Sequence, residues 1–503
     1  MSTSRWHRPG SAVLAAAAGL VLLLASQAVS YAAGSAATPG RAAAGGGVPE
    51  VLGPKVTHEP YAYELLGVGC FSVRYCVAVG YGDGSFTGGV AVPIKNGVPG
   101  KPVLSSDAGS VFRAAACVST SECIIAGSEP ATGKTAAQAV VWLLQGRKLS
   151  LLPQSTATSN VTADFTGATC RGRTCEVVGD ATYITSTKAE QPIGIFGGLT
   201  LRGSPKVDVV DNDALGYASS VSCPRGPVCY VGGSTATALG AEAYIVVSGK
   251  GRGDIKGPFA QADISGIDGL ACPSFSACGA AEINDAAFPA TSGWVERLNQ
   301  VSSGTPVQVG GSQLMLGIAE LNPSYYLAVG AEDGASWLTD LVTAAGRPRT
   351  AHDLTDGGYL QAVSCPVQTE CVAAGFTTDP AKSQPGGVGG VDGAIAVFRL
   401  RTAPSAPGLN IAGRTRSSVT LRISPPASTG GDAVKSYDLA VSRCKPHHSG
   451  CLLEAVRTLT ISGRARSITV THLAASTTFY FAARAVSAIG AGPYSGRVHG
   501  KTT

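Results

Sequence analysis

An all-β fold is predicted by three patterns in this 503-residue sequence. A close pair of cysteines recurs six times between residues 70 and 371. Around each pair, short apolar strands alternate with turns rich in Gly and Pro, and each period holds about four strands. The last hundred residues lack this cysteine pattern and show short strands in which apolar and polar residues alternate.

The spacing of the cysteine pairs indicates seven repeats. Their first cysteines are separated by 47, 53, 53, 49 and 93 residues, so the last interval holds a further repeat without cysteines. Matching Cys76–Gly80 with Tyr326–Gly330 places Glu320 and Tyr326 at the two cysteine positions. Four strands in about 45 to 53 residues are typical of a propeller blade, so we predict a seven-bladed β-propeller over residues 49–402.

Residue sizes within the repeats agree with a ring of blades. Each repeat starts with a strand of small residues, such as Ala114–Cys117, which suits the crowded axis of a propeller. The seventh repeat has no fourth strand, whereas Pro49–Val56 resembles a spare one before the first repeat. We therefore predict that Pro49–Val56 pairs with Ala394–Leu400 and closes the ring, which removes an exposed edge. An array of separate small β domains is the alternative, although about 45 residues bury too little surface for an independent core.

The first 48 residues resemble export and linker sequences. Arg5 and Arg8 precede the short apolar run Ala12–Ala25, and small residues surround Ala28 and Ala32, where a signal peptide would be cleaved. We therefore assign residues 1–33 to a signal peptide and residues 34–48 to a flexible Ala/Gly-rich linker. The mature chain is expected to be extracellular, without a membrane span, and loosely associated with the cell wall or released.

Fourteen cysteines form seven close pairs. Cysteine ligands of a metal are usually separated by two to four residues and have His partners, whereas these pairs are scattered and none of the seven His lies close to a repeat pair. We predict disulfides, each worth about 2 kcal/mol for a loop of this size, and no metal or cofactor. Such bridges imply an oxidising compartment. The predicted bridges are Cys70 with Cys76, Cys117 with Cys123, Cys170 with Cys175, Cys223 with Cys229, Cys272 with Cys278, Cys365 with Cys371 and Cys444 with Cys451.

Residues 404–503 form a second region, which resembles a fibronectin type III domain. Pro407, Tyr437 and the run Thr478–Pro493 carry the likeness, which covers about 100 residues. The resemblance implies an immunoglobulin-like β-sandwich. Two positions depart from the family pattern: Ile423 stands where a core Trp is usual, and Phe479 stands at the tyrosine corner.

The repeats also resemble a known group. Val221–Pro224 and Val363–Pro366 read Val-Ser-Cys-Pro, as in the Ser-Cys-Pro…Cys-x-Ala-Val-Gly repeats of secreted actinobacterial proteins. That resemblance covers about 350 residues and implies export and a propeller. It implies no particular chemistry.

Charge is divided unevenly between the two regions. Residues 404–503 contain 12 Lys and Arg against 3 Asp and Glu, a net charge of +9, whereas residues 34–403 contain 24 against 30, a net charge of −6. The basic region either aids solubility or attracts an anionic cell-envelope polymer, and both readings stay open. Nucleic acid is not an expected partner, because no basic stripe interleaved with aromatic residues is visible.

Four aspartates are the candidate ligand-binding residues. Each lies nine or ten residues before the first cysteine of a repeat, which predicts loops between one blade and the next, near the mouth of the channel. Carboxylates that converge there could bind a sugar or a cation, while the alternative is that they only form turns. The four are Asp107, Asp213, Asp263 and Asp356.

No catalytic constellation is recognisable in the sequence: there is no HExxH motif, Gly-x-Ser-x-Gly elbow or Cys nucleophile with a His partner. We therefore expect a secreted, monomeric, non-catalytic binding or scaffold protein. Its propeller would bind an extracellular glycan, cell-wall polymer or protein, and its basic domain would act as a spacer or tether. The alternative is a secreted glycoside hydrolase that acts in polysaccharide degradation, although no pair of acids stands out for that role.

Overall fold

The computed structural model describes most of the chain after residue 47, and its regular elements are all β-strands. Residues 1–47, with the predicted signal peptide and nearly all of the predicted linker, lie outside the described residues. Within the described part, no helix could cross a membrane. The described residues are 48–59, 61–82, 87–131, 136–154, 161–183, 192–212, 216–224, 228–237, 240–248, 266–274, 277–284, 292–299, 302–303, 307–309, 312–322, 325–332, 336–343, 348–378, 391–447 and 450–503.

Short antiparallel strands follow one another through residues 50–401, as the sequence predicts. In chain order they are β1 (Glu50–Glu59), β2 (Glu64–Ser72), β3 (Tyr75–Tyr81), β4 (Gly88–Lys95), β5 (Val98–Pro99), β6 (Val103–Ala108), β7 (Val111–Cys117), β8 (Glu122–Glu129), β9 (Gln138–Gln145), β10 (Lys148–Leu151), β11 (Val161–Arg171), β12 (Thr174–Tyr183), β13 (Pro192–Thr200), β14 (Asp208–Asn212), β15 (Tyr217–Ser222), β16 (Cys229–Thr237), β17 (Gly240–Ser248), β18 (Gly266–Ser274), β19 (Ala277–Asn284), β20 (Ser292–Asn299), β21 (Ser302–Ser303), β22 (Val307–Gln308), β23 (Ser312–Asn322), β24 (Tyr325–Glu332), β25 (Ser336–Thr343), β26 (Pro348–Val367), β27 (Glu370–Thr377) and β28 (Asp392–Arg401).

The strands group into seven repeats. Repeat 1 is β2–β6, repeat 2 is β7–β10, repeat 3 is β11–β14, repeat 4 is β15–β17 and repeat 5 is β18–β22. Repeat 6 is β23–β25 with the first half of β26, and repeat 7 is the second half of β26 with β27 and β28. Strands pair in chain order within each repeat, except that β6 returns to β4 and β22 returns to β20.

The first strand of the chain completes repeat 7. Strand β1 pairs antiparallel with β28, from Glu50 opposite Arg401 to Glu59 opposite Gly393. Val51 and Val56 of β1 pack against a buried cluster that includes Phe398. The predicted pairing of Pro49–Val56 with Ala394–Leu400 is confirmed.

Contacts between repeats run through their first strands. Strand β2 contacts β7, β7 contacts β11, β11 contacts β15, β15 contacts β18, β18 contacts β23 and β23 contacts β26. Strand β26 in turn contacts β2, so the series of contacts returns to its starting point. Buried clusters fill the spaces between neighbouring repeats: one joins Val77 of repeat 1 to Trp142 of repeat 2, and another joins Leu65 of repeat 1 to Val372 of repeat 7.

The six predicted repeat disulfides are confirmed, with Cα atoms 3.9 to 4.1 Å apart. Each bridge joins the first strand of a repeat to its second strand at their hairpin turn. The bridges are Cys70 with Cys76, Cys117 with Cys123, Cys170 with Cys175, Cys223 with Cys229, Cys272 with Cys278 and Cys365 with Cys371. Cys444 is also disulfide-bonded, while the side chain of its predicted partner Cys451 lies outside the described residues.

Two of these bridges show how the disulfides are packed. The Sγ atom of Cys117 lies 3.4 Å from the carbonyl oxygen of Gly69, which belongs to the first strand of repeat 1. The Sγ atom of Cys170 lies 3.8 Å from the carbonyl oxygen of Ala116, which belongs to the first strand of repeat 2. Each of the two bridges therefore packs against the first strand of the preceding repeat.

Repeat 6 is the repeat without a bridge. Glu320 of β23 lies directly opposite Tyr326 of β24, as Cys70 lies opposite Cys76 in repeat 1. The predicted substitution of a cysteine pair by these two residues is confirmed. Tyr326 is buried between repeats 5 and 6, where its ring fills space.

The C-terminal strands form two sheets around one core. Sheet β29-β30-β33 faces sheet β32-β31-β34-β35, and side chains from both, such as Leu421 and Phe481, share one buried cluster. Ile423 and Phe479, the two departures from the family pattern, are both buried in it. The strands are β29 (Gly408–Arg414), β30 (Val419–Ser424), β31 (Ser436–His447), β32 (Gly450–Ser462), β33 (Ser467–Val470), β34 (Thr478–Val486) and β35 (Val498–Lys501).

The pairing of Glu320 with Tyr326 in repeat 6 allows the alignment of this repeat with the bridged repeats to be tested. Because Glu320 and Tyr326 occupy the positions of the other cysteine pairs, the double substitution Glu320→Cys and Tyr326→Cys should form a seventh repeat bridge, detectable by peptide mass mapping. The melting temperature should not rise, since loss of the buried Tyr326 ring leaves a cavity that costs about 3 kcal/mol. The single variant Glu320→Cys is the control and should retain one reactive thiol. Two free thiols in the double variant would contradict the alignment.

Candidate functional site

A β-bulge recurs at the same point in the first strand of every repeat. In repeat 1, Leu65 pairs with Gly80 and Gly67 pairs with Val79, so Leu66 has no partner opposite it. A bulge places one extra residue in a strand and redirects its side chain. The seven extra residues all line one cavity of about 180 Å³. They are Leu66, Arg113, Thr166, Ser219, Asp268, Leu316 and Gln361, called here the bulge residues.

The residue after each bulge is small because the first strands approach one another closely. A Cβ atom on Gly67 would lie 2.4 Å from the carbonyl oxygen of Arg113, and one on Gly317 would lie 3.0 Å from the Cα atom of Ala362. Such separations leave no room for a larger side chain without movement of the backbone. The cavity is therefore framed by closely spaced backbone, and its larger polar side chains come from the bulge residues.

Several bulge residues reach the next repeat. The Thr166 hydroxyl donates to the carbonyl of Ala218 at 2.5 Å, and the Ser219 hydroxyl donates to the carbonyl of Ile267 at the equivalent place one repeat on. The amide of Gln361 in repeat 7 donates to a Glu64 carboxylate oxygen in repeat 1 at 2.6 Å. These hydrogen bonds link the first strands of neighbouring repeats at the strand end that lies away from the disulfides.

Arg113, the bulge residue of repeat 2, forms an ion pair with Asp164 of repeat 3. Asp164 lies opposite Asp180 in the adjacent strand, so two carboxylates share this place. Burial raises the pKa of Asp164, and the Arg113 guanidinium opposes that shift. Burial, reinforced by the neighbouring Asp164 carboxylate, raises the pKa of Asp180 to about 6. The Arg113 side chain remains 40% exposed and accessible to a ligand.

A second group of polar residues lies in repeat 1. The Tyr81 hydroxyl donates to Glu64 at 3.0 Å, while Glu64 also accepts from Gln361. Burial and the Glu64 carboxylate raise the pKa of Tyr81 to about 12, an effect that the Arg113 charge reduces. Tyr81 is therefore a hydrogen-bond donor at neutral pH. We call Glu64, Tyr81, Arg113, Asp164, Asp180 and Gln361 the polar cluster.

The predicted aspartates differ in where they lie. Asp107 lies at the end of β6, where its carbonyl accepts from the Ser110 N–H in the turn that leads to β7. Asp356 lies within the continuous strand β26, so the predicted loop placement is wrong for this residue. Strand β26 runs from repeat 6 into repeat 7 without a loop. Asp213 and Asp263 lie outside the described residues, as does the side chain of Asp356. Their role in ligand binding stays a prediction.

The surroundings of Asp107 resemble those of a turn residue. Its side chain is exposed, and its backbone carbonyl accepts hydrogen bonds from the hydroxyls of Ser105 at 3.0 Å and Ser110 at 2.8 Å. Gly109 adopts a φ of +85°, which the turn requires. Asp107 does not line the cavity, whereas Arg113 and Asp268 do.

The bulge residues could have been located in the sequence. Each of the seven lies four residues before the first cysteine of its repeat, or before Glu320 in repeat 6. Their chemical types differ, so no motif marks them, and only their fixed offset from the cysteine does. The carboxylates that share an offset from the cysteine are instead the aspartates nine or ten residues before it. Within the described ranges, no three His, Cys, Asp or Glu residues are grouped to hold a metal ion.

The basic C-terminal domain has each of its three acids engaged. Asp438 pairs with Arg484 at 3.0 Å, and Asp432 accepts backbone N–H bonds. Glu454 pairs with Lys445 at 2.9 Å and with Arg443, whose hydrogen bond lowers the pKa of Glu454 to about 2. Most of the twelve cations have no acid to neutralise them, so this domain presents a positive surface.

Comparison with known proteins identifies this domain. The family described as "Fibronectin type III domain" matches residues 402–501, so this part of the chain is a fibronectin type III domain. Among solved structures, one described as "Myokine structure" is 20% identical, covers 20% of this chain and 98% of its own, and has a TM-score of 0.17. The third fibronectin III domain of human KIAA0343 is 19% identical, with coverages of 20% and 83% and a TM-score of 0.18. The FN5 domain of Drosophila Lar is also 19% identical, with coverages of 20% and 97% and a TM-score of 0.16. A search of curated proteins found no match to this chain.

The raised pKa of Asp180 predicts a pH-dependent stability. In the folded chain the Asp180 carboxyl stays protonated up to about pH 6, whereas its ordinary pKa is 3.8. The free energy of unfolding therefore falls as the pH rises from the ordinary pKa to the raised one. The free energy of unfolding of Asp180→Asn should therefore equal that of the wild type below pH 4 and exceed it above pH 6 by about 1 to 2 kcal/mol. This gain is smaller than the pKa shift alone would give, because solvent screens the site. Chemical denaturation across this range measures the difference. Asp208→Asn, at an exposed position of the same repeat, is the control for loss of one carboxylate. A gain of equal size at pH 4 and pH 8 would contradict the assignment.

Proposed function

We propose that this chain is a secreted binding protein without catalytic activity, in which the seven repeats form a closed β-propeller. The contact of β26 with β2 supports closure, as does the pairing of β1 with β28. The disulfides and the fibronectin type III domain are consistent with an extracellular location.

The bulge residues and the polar cluster form the binding face. The observation that carries this proposal is that seven side chains of six residue types, at one equivalent position of seven repeats, converge on a single cavity. In a repeat scaffold, positions that pack are alike between repeats, whereas positions that recognise a ligand are free to differ. The bulge residues differ in this way, and small residues follow them on every strand.

The chemistry of this face suits an extracellular glycan or a protein segment. It offers carboxylates, a guanidinium, an amide and hydroxyls, which together can donate to and accept from hydroxyl or amide groups. The cavity of about 180 Å³ is smaller than the roughly 300 to 1,000 Å³ of pockets that enclose a ligand. The ligand would therefore lie across the mouth of the cavity.

The fibronectin type III domain would serve as spacer or tether. Its net charge of +9, with 12 basic residues against 3 acidic ones, would attract an anionic cell-wall polymer, in keeping with a loose association with the cell wall. Such attraction would weaken with salt, because at 1 M salt the screening length falls to about 3 Å.

The binding function is tested by incubating the protein with insoluble polysaccharides and bacterial cell walls. We expect depletion of the protein from the supernatant without new reducing ends. Arg113→Gln should weaken binding about tenfold, since a charged hydrogen bond to the ligand is lost. Arg74→Gln removes the same charge near a disulfide-closed turn and should leave binding unchanged. Equal binding by both variants, each shown to be folded, would contradict the assigned face.

A glycoside hydrolase is the second candidate, favoured by the Asp164 and Asp180 pair. Asp180, whose pKa is raised to about 6, could act as the proton donor, and Asp164 is paired with a cation. Among the described residues the cavity is lined by one acid, Asp268, and by neither of these two, so no pair of carboxylates faces it. New reducing ends that disappear in both Asp164→Asn and Asp180→Asn would establish the hydrolase and overturn the leading proposal.

A further inference from the structure

A second pocket lies between repeats 1 and 2, beside the turns that the disulfides close. Its volume is about 430 Å³, within the range of small-molecule pockets. Turns from both repeats form it: β4 and β5 on one side, and the turns after β7 and β9 on the other. Its lining residues are Tyr75, Pro93, Lys95, Val98, Pro99, Gly100, Lys101, Thr120, Ser121, Gly146 and Arg147.

Three cations line this pocket, and none of its described lining residues is acidic. The Arg147 guanidinium donates to the backbone carbonyls of Lys101 at 2.8 Å and Pro102 at 3.1 Å, which fixes its position. Glu122, next to a lining residue in sequence, is paired with Arg173 at 3.1 Å. The positive charge of the pocket is therefore not cancelled by that carboxylate, although the repeats as a whole are acidic.

Tyr75 adds a donor to this pocket. Its side chain is only 2% exposed, and its hydroxyl has no hydrogen-bond partner among the described residues. A buried hydroxyl without a partner is costly, and most buried polar groups have a partner in the protein or in ordered water. Burial raises the pKa of Tyr75, so the hydroxyl is protonated and can donate to an anion.

The remaining wall is apolar. Pro93 and Pro99 line it, and Val98, which is 55% exposed, stands at its rim. An apolar wall beside a cationic group of side chains suits a ring that carries a charged substituent. Thr120 and Ser121 supply hydroxyls on the opposite side.

We propose that this pocket binds a phosphate-type oxyanion, held by Lys95, Lys101 and Arg147 and by the hydroxyl of Tyr75. Two sources share this chemistry: free inorganic phosphate and a phosphate group esterified to a sugar. The apolar wall would contact the sugar ring in the second case. This site is independent of the binding face at the bulge residues, so failure of one proposal leaves the other intact.

Isothermal titration calorimetry at constant ionic strength tests the site, with inorganic phosphate, glucose 6-phosphate and glucose as separate probes. Both phosphates should bind and glucose alone should not. Tighter binding of glucose 6-phosphate would identify the sugar ester as the source, and equal binding would identify the free ion. Lys101→Ala should weaken phosphate binding about tenfold, in proportion to one lost charged hydrogen bond. Lys148→Ala removes the same charge next to Arg147 but outside the lining, and should leave the affinity unchanged.

The variant Tyr75→Phe tests whether the Tyr75 hydroxyl binds the oxyanion or is only a buried group without a hydrogen-bond partner. If the hydroxyl donates to the oxyanion, the variant should melt at a higher temperature without ligand and bind phosphate more weakly. Unchanged phosphate affinity in Tyr75→Phe would remove Tyr75 from the site. Absence of phosphate binding by the wild type, or equal weakening in the Lys101 and Lys148 variants, would overturn the proposal.

Discussion

Close approach of the seven first strands is the constraint on which the repeat region depends. Where a Cβ atom would lie 2.4 Å from a neighbouring carbonyl oxygen, as at Gly67, only a glycine fits without movement. Small residues at this position let neighbouring sheets pack side chains between them, as in the cluster that joins Val77 to Trp142. The bulge that precedes the small residue supplies a position where larger side chains, such as Arg113 and Gln361, line the shared cavity.

The two ends of each first strand therefore have different roles. In the six bridged repeats one end is closed by a disulfide, and in repeat 2 this bridge packs on the preceding repeat, where Cys117 contacts Gly69. The other end carries the bulge residue, and polar bulge residues reach the following repeat through hydrogen bonds such as Thr166 to Ala218. Residue types differ at the bulge end, and the bulge is present in the unbridged repeat 6 as it is in the six bridged repeats.

Sequence reasoning succeeded where one residue type marks a position. Cysteine spacing located the repeats, the bridges and even the unbridged pair Glu320 and Tyr326, because hairpin register is strict. The bulge residues of the candidate site were not predicted, because residues as different as Leu66 and Arg113 share a position in the repeat but no common chemistry. The pocket lined by cations is not visible in the sequence either, since Lys101 and Arg147 meet only when repeats 1 and 2 pack together.

Closure of the ring depends on the contact between repeats 7 and 1, where the Gln361 amide donates to Glu64 at 2.6 Å. Cross-linking tests it most directly: Glu64→Cys and Gln361→Cys are introduced together, treated with a short bis-thiol reagent and mapped by peptide mass. A closed ring predicts one rapid intramolecular link between residues 297 positions apart in the chain, and none in the control pair Glu64→Cys and Lys206→Cys. Links that form only between molecules, or equally in the control, would show that the ring is open.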